Sequence, residues 1–279
     1  MTPLRKKMID IMVLKGFSPS TQSTYLYAIE KIARYYHRSP DLLDSGDIEA
    51  YCVYLLKEKN MASASVRVIV NAVRFFFRQV LRRSLQEVVI RYPKKPQRIP
   101  ELLTREEVRA ILSHAQNLKH YTLLATGYAA GLRVSEIVTL RVRDIDTHRA
   151  LLYIRQGKGN KDRAVFLTPS LLLGLRRYWQ QYRAHDWLFY SHDFQHHITI
   201  TVAQKAFRKA KAAAGITKHG GIHSLRHAYA THQLDAGLPT HLLQRQLGHQ
   251  SLTSTLRYVH WLPHYHSNGI REVDLLIHH

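Results

Sequence analysis

Residues 91–108 read RYPKKPQRIPELLTREEV, and this stretch divides the chain. Pro93, Pro96 and Pro100 fix their own φ, remove backbone donors and push the residues before them toward extended conformations, so no helix runs through it. Arg91, Lys94, Lys95 and Arg98 make the same segment strongly basic. It ends on a helix-start signal. Thr104 with Glu107 three positions on is a capping box, and Val108, Ile111 and Leu112 follow at helical spacing. The expected organisation is an N-terminal domain over 1–90, a basic linker over 91–103 and a second domain over 104–279.

Upstream of the linker the hydrophobic period is helical throughout. A start signal near Ser18–Ser20 precedes Tyr25, Ala28, Ile29, Ile32, Ala33 and Tyr36 on one stripe. Ile48, Tyr51, Cys52, Leu55 and Leu56 form a second, with the cysteine as a small hydrophobe. Val66, Ile69, Val70, Val73, Phe76, Phe77 and Val80 form a third, and with the opening segment they predict a bundle of about four helices. Asp10 and Lys15 interrupt that opening segment, which reads as the first helix and not as a signal peptide.

Downstream the pattern is mixed. Helices are expected over 104–116, 119–127, 169–183, 201–214 and 240–247, with another through HSLRHAYATHQLDAG that stops near Gly237. Ser251 stands where it can cap a last helix carrying Tyr258. Leu152 and Ile154 alternate before the turn GKGN, and Val165 and Leu167 after it, which predicts a β-hairpin. The fold class expected is mainly α, with a small β-hairpin or sheet inside an α+β second domain.

The formal net charge is +21. Lys and Arg outnumber Asp and Glu 18 to 8 over residues 1–98 and 23 to 12 beyond, from totals of 41 and 20. Both parts therefore have reason to face a polyanion, most simply nucleic acid, although a basic solubilising surface has the same composition. No apolar run is long enough for a membrane span. A single cysteine, Cys52, excludes internal disulfides and thiolate zinc clusters and fits a reducing, intracellular setting.

Several residues carry possible chemistry, each with a plainer reading beside it. Arg133 in GLRVSE can pair with Glu136 as a structural ion pair. Lys158 at the hairpin tip can be a solvated lysine. His223 and Arg226, three apart on one helical face, can be basic surface. His249 in LGH can cap a turn, and Tyr258, one of 16 tyrosines, can be core. Their convergence would suit phosphodiester chemistry. Two guanidiniums can clamp the non-bridging oxygens bidentately, and their fixed charge makes a metal unnecessary. A tyrosine hydroxyl, with a pKa of about 10, needs a base or a strong positive field before it attacks. The departing 5′-hydroxyl needs a proton, which a hairpin lysine can supply.

The set ATGYAAGLRVSEIVTL, GKGNKDR, HSLRHAYATH and LGHQSLTSTLRYVH, in this order, resembles the catalytic domain of the tyrosine recombinase (phage integrase) family. The likeness covers roughly 104–262, and 1–88 resembles that family's helical, SAM-like core-binding domain. By resemblance Arg133 and Arg226 bind the scissile phosphate, Lys158 is the general acid, and His223 and His249 are the two motif histidines. Tyr258 is the nucleophile that forms a 3′-phosphotyrosine, and Glu136 supplies a supporting hydrogen bond. The resemblance further implies a C-shaped clamp on double-stranded DNA, with the basic linker along the backbone. It implies a homotetramer on paired sites that works through a Holliday junction, from subunits that can be monomeric when free. Arg91, Lys94, Lys95, Arg98, Lys161, Lys205, Arg208 and Lys209 are the expected DNA contacts. Residues 270–277 can dock on a neighbour or pack on their own chain. The two-domain build suits a mobile-element recombinase, with chromosome or plasmid dimer resolution as the alternative.

Rival readings are a type IB topoisomerase-like nicking enzyme and a DNA-binding protein that has lost catalysis on the same scaffold. His196, His197, His260, His264 and His266 invite a metal, but carboxylates and thiolates are scarce around them, so neither metal nor cofactor is expected. The location expected is the prokaryotic cytoplasm, at the nucleoid when bound to DNA.

Overall fold

In the computed structural model the described residues are 2–83, 101–155 and 162–261. They fall into two compact units, one within Met1–Arg98 and one within Ile99–His279. The chain is mainly helical with one small antiparallel sheet.

The first unit is a bundle of α1 (Pro3–Leu14), α2 (Pro19–Tyr36), α3 (Ser45–Lys57) and α4 (Ser63–Phe75). Ser18 caps α2 by accepting the Thr21 amide, and Asp44 and Asp47 form a reciprocal capping box on α3. The helical stripes converge on one core, with Met8, Met12, Ile32, Ile48, Val70, Val73 and Phe76 nearly inaccessible to solvent. Cys52 is buried in it as a hydrophobe. Beyond α4 the chain continues for one π turn, Phe76–Val80, which puts Phe76, Phe77 and Val80 all inward.

In the second unit Thr104 and Glu107 make the expected capping box at the start of α5 (Arg105–Ser113). Lys218 adds an ion pair to Glu107 at 2.7 Å, which ties the helix start to a distant loop. α6 (Leu118–Ala129) and the short α7 (Val134–Val138) follow. Three strands come next, β1 (Ile145–Asp146), β2 (Leu151–Ile154) and β3 (Arg163–Phe166), in the order β1-β2-β3. Leu152 opposes Val165 in the β2–β3 register and both are fully buried, as the alternation requires. The sheet has one strand more than the hairpin expected, because the two-residue β1 is too short to show a period. α8 (Pro169–Tyr182), α9 (Ile200–Ala213), α10 (His223–Asp235), α11 (Thr240–Leu247) and α12 (Leu252–Val259) complete the unit. Ser251 occupies the N-cap position of α12, but its side chain makes no capping bond.

α6 runs through the middle of this unit and packs against α8, α9 and α10, with Leu123 and Leu124 fully buried. Phe207 of α9 lies in the same core, 0% exposed. A smaller cluster of Tyr229, Leu234, Leu243, Leu247, Tyr258 and Val259 joins α10, α11 and α12, and it fixes where α12 meets the rest of the unit. Among the described residues no helix is long and apolar enough to cross a membrane.

Phe207→Ala should therefore destabilise the second unit by about 3–5 kcal/mol, against about 1 kcal/mol for Thr104→Ala. Urea denaturation of the full chain, followed by circular dichroism, checks both.

Candidate active site

The site is built around one carboxylate. Glu136 lies in the first turn of α7 with its side chain 5% exposed. It accepts the backbone amide of Arg133 at 2.8 Å and a guanidinium nitrogen of the same residue at 2.8 Å. Arg163, at the start of β3, reaches both carboxylate oxygens at 2.8 and 2.9 Å in a bidentate fork. Arg226 approaches the same carboxylate at 3.7 Å. Burial alone would raise the Glu136 pKa, but the hydrogen bonds and charges of Arg163 and Arg133 outweigh it and hold the carboxyl at about 2. One negative charge thus gathers three guanidiniums, and the cluster keeps a positive surplus. The sequence alternatives for Arg133, structural ion pair or phosphate ligand, are not exclusive: its backbone amide and one guanidinium nitrogen hold Glu136.

Arg226 sits in the first turn of α10, 4% exposed, and donates to the carbonyls of Gly131 and Leu247 at 2.7 Å each. Burial first, then the charge of Arg133, lowers its pKa to about 10, so it stays charged at neutral pH. Both neighbouring glycines are needed for this packing. Gly131 has φ +60°, and a Cβ there would lie 2.4 Å from the Tyr229 ring. Gly248 has φ +63°, and a Cβ would lie 2.7 Å from the Arg163 side chain.

The histidines divide the remaining surface. His223, at the start of α10, faces solvent. Partial desolvation, then the charges of Arg226 and Arg133, lower its pKa. His249 bonds Thr255 Oγ1 through Nδ1 at 2.9 Å, which leaves Nε2 as its other polar atom. Burial, followed by Arg226 and Arg133, pushes it to about 4.

Tyr258, near the end of α12, is only 4% exposed. His249 lies parallel to its ring at 6.2 Å, and Trp261 meets it edge-on at 5.1 Å. Its hydroxyl is 3.1 Å from Nδ1 of His227. Burial raises the Tyr258 pKa, while the positive charges of Arg226 and Arg133 oppose the rise.

The structure brings together Arg133, Glu136, His223, Arg226, His249 and Tyr258. Lys158 and Lys161 lie outside the described residues, as do Arg91, Lys94, Lys95, Arg98, His264, His266 and 270–277. Lys205, Arg208 and Lys209 occupy the exposed face of α9 and form no part of the cluster. His196 pairs with Asp193 at 2.8 Å in an exposed loop, and no group of metal-ligating side chains forms among the described residues. Two members of the cluster were not singled out from the sequence. Arg163 shares strand parity with Val165 and Leu167, a signal that it points inward. His227 stands four residues after His223, one helical turn further along the same face.

Residues 101–264 match the Phage integrase family, and 4–87 match the family's N-terminal SAM-like domain. A putative integrase/recombinase, y4qK, of Sinorhizobium fredii is 43% identical over 93% of this chain and 84% of its own length. Tyrosine recombinase XerA of Pyrococcus horikoshii is 31% identical over 88% of this chain and 84% of its own length. Among solved structures, XerA recombinase covers 97% of this chain and 96% of its own, with TM-score 0.56 and 25% identity. A lambda integrase tetramer bound to a Holliday junction shares the fold at TM-score 0.76 and 19% identity, over 91% of this chain and 76% of that one.

The ion cluster makes a prediction about acid stability. The folded Glu136 carboxyl titrates at about 2 against 4.5 ordinarily, so its contribution is complete above pH 4.5 and is lost as the pH falls toward 2. The loss is of order 3 kcal/mol. Arg163→Ala should destabilise the unit by about 3–5 kcal/mol at neutral pH and shrink that acid-dependent part. Denaturant titrations at a series of pH values read both effects.

Proposed function

The chain belongs to the tyrosine recombinase (phage integrase) family, whose members cut and rejoin DNA strands, and from that membership we propose how its own residues perform the reaction. Arg133 and Arg226 bind the non-bridging oxygens of one phosphodiester in double-stranded DNA. Tyr258 attacks the phosphorus and forms a 3′-phosphotyrosine, which releases a 5′-hydroxyl. Lys158 protonates that leaving oxygen. His223 and the free Nε2 of His249 bond the phosphoryl oxygens, and Glu136 acts through the arginines it holds. A 5′-hydroxyl from a second strand then reverses the step. The phosphoester bond energy is kept in the protein–DNA link, so rejoining needs no ATP.

The observation that carries this reading is the buried tyrosine hydroxyl in the field of Arg226 and Arg133, beside a cluster that holds more guanidiniums than carboxylates. Such a site suits an anion that gains charge in the transition state. The arginines carry that charge permanently, so the mechanism asks for no metal. Exchange through a Holliday junction calls for two cleaved sites and hence a tetramer, from subunits that are monomeric before DNA binding. The domains follow the division 1–90, 91–103 and 104–279, with Arg91, Lys94, Lys95 and Arg98 tracking the backbone between them. Integration, excision or transposition of a mobile element is the role proposed, in the cytoplasm of a prokaryote. The similarity to a putative integrase/recombinase supports it.

Covalent attachment provides the test. Purified protein incubated with the DNA that flanks its gene should become linked at a defined position, and a nicked suicide duplex carrying that position should trap the adduct. Tyr258→Phe should bind the same duplex and trap none. Binding by the wild type with no adduct would leave a DNA-binding protein without catalysis. A second measurement addresses α9. Replacing Lys205, Arg208 and Lys209 together by Gln should weaken binding to all sequences alike and lower the slope of log K against log salt by about 2–3.

A further inference from the structure

The attacking hydroxyl has to lose its proton, and one imidazole is placed to take it. We propose that His227 is the proton acceptor for Tyr258. This assignment rests on the reading of Tyr258 as the nucleophile.

His227 follows Arg226 directly on α10, which aims it at the last turn of α12. Its Nδ1 is 3.1 Å from the Tyr258 hydroxyl, within the range in which a proton passes directly. The ring is half-buried, with the Tyr258 ring at 5.7 Å and the Trp261 edge at 5.7 Å and 85°. These contacts fix the imidazole plane. The other imidazole beside the tyrosine is turned differently. His249 lies at 8° to the Tyr258 ring with the centroids 6.2 Å apart, its Nδ1 is taken by Thr255, and it makes no hydrogen bond to the tyrosine oxygen. The charge of Arg226 acts on the same hydroxyl and favours the phenolate.

The groups that face His227 are His223 and Arg226 from its own helix, Tyr258 from α12 and Trp261 just beyond it. Burial, then His223 and Arg226, push its pKa down to about 4, so it is neutral at physiological pH. With the proton on Nε2, its Nδ1 is a free acceptor. A phosphodiester arriving among the three arginines adds negative charge to the pocket, which raises the imidazole's affinity for a proton when the transfer is needed.

The step balances. The Tyr258 oxygen bonds phosphorus, its proton passes to His227 Nδ1, the bond from phosphorus to the 5′-oxygen breaks, and the general acid protonates that oxygen. In rejoining, the incoming 5′-hydroxyl attacks phosphorus and gives its proton to the now deprotonated general acid, the bond from phosphorus to the tyrosine oxygen breaks, and protonated His227 returns its proton to that oxygen.

Single-turnover cleavage tests this on the nicked duplex that carries the mapped position, made with sulfur in place of the bridging 5′-oxygen. A thiolate leaves without a proton, so the general acid drops out and nucleophile activation is read alone. Wild type should cleave at a rate nearly independent of pH between about 6 and 9. His227→Ala and His227→Asn should both be slower by about 10²-fold or more at pH 7, with the gap closing about tenfold per pH unit as the phenol ionises unaided. Asparagine can still bond the hydroxyl but cannot take its proton. A His227→Asn rate near wild type, or a defect constant across pH, would overturn the assignment. If the variants do not fold, the ring-nitrogen NMR shifts of wild-type His227 decide: a bare Nδ1 supports the assignment and a proton resident on Nδ1 removes it. A wild-type protein that forms no adduct at all would take down the nucleophile reading first.

Discussion

Three like charges do not gather in a protein interior unless something holds them, and here that something is the Glu136 carboxylate. Two guanidiniums about 4 Å apart repel by roughly 4 kcal/mol even at an effective dielectric of 20. Glu136 meets Arg133 and Arg163 at hydrogen-bond distance and Arg226 at 3.7 Å. A buried ion pair is seldom a net source of stability over a well-packed apolar core, but breaking one is costly. Its use here is placement. The carboxylate fixes the side chains proposed to bind phosphate before any DNA arrives, and Gly131 and Gly248 let the backbone come close enough for the third arginine and the carbonyl contacts to fit. The positive surplus left over is the site's affinity for an anion.

The same field acts on the tyrosine. Arg226 and Arg133 pull its hydroxyl toward ionisation while burial pushes the other way, and burial wins in the free protein. Tyr258 therefore rests protonated, packed between His249 and Trp261, and as the proposed nucleophile it needs a phosphate beside it and an acceptor for its proton. Local unpaired reactivity is avoided by the same packing that sets the geometry.

Much of this was legible in the sequence. The Thr104–Glu107 box marked the start of α5, and the stripes that end in Phe76 and Val80 marked the first unit's core. Arg133, His223, Arg226, His249 and Tyr258 stood out because each sits beside a glycine or in a compact basic motif. What escaped was set by tertiary contact. Arg163 looks like one more cation after a charged turn, and only its parity with Val165 shows that it turns inward. His227 was hidden by Arg226 beside it, and its use depends on where α12 packs. Strand β1 was lost because two residues carry no period. Glu136 was visible as a partner of Arg133, but its hold on three arginines needs the fold.

The most direct measurement of the central claim is a crystal structure of the protein with the cleaved ends of its mapped site and vanadate. Vanadate should bridge the Tyr258 oxygen and the 5′-hydroxyl, with Arg133 and Arg226 on its equatorial oxygens and Glu136 still bound to the arginines. Vanadate or the scissile phosphate bound away from these guanidiniums, or the Glu136 cluster dispersed in the complex, would contradict it.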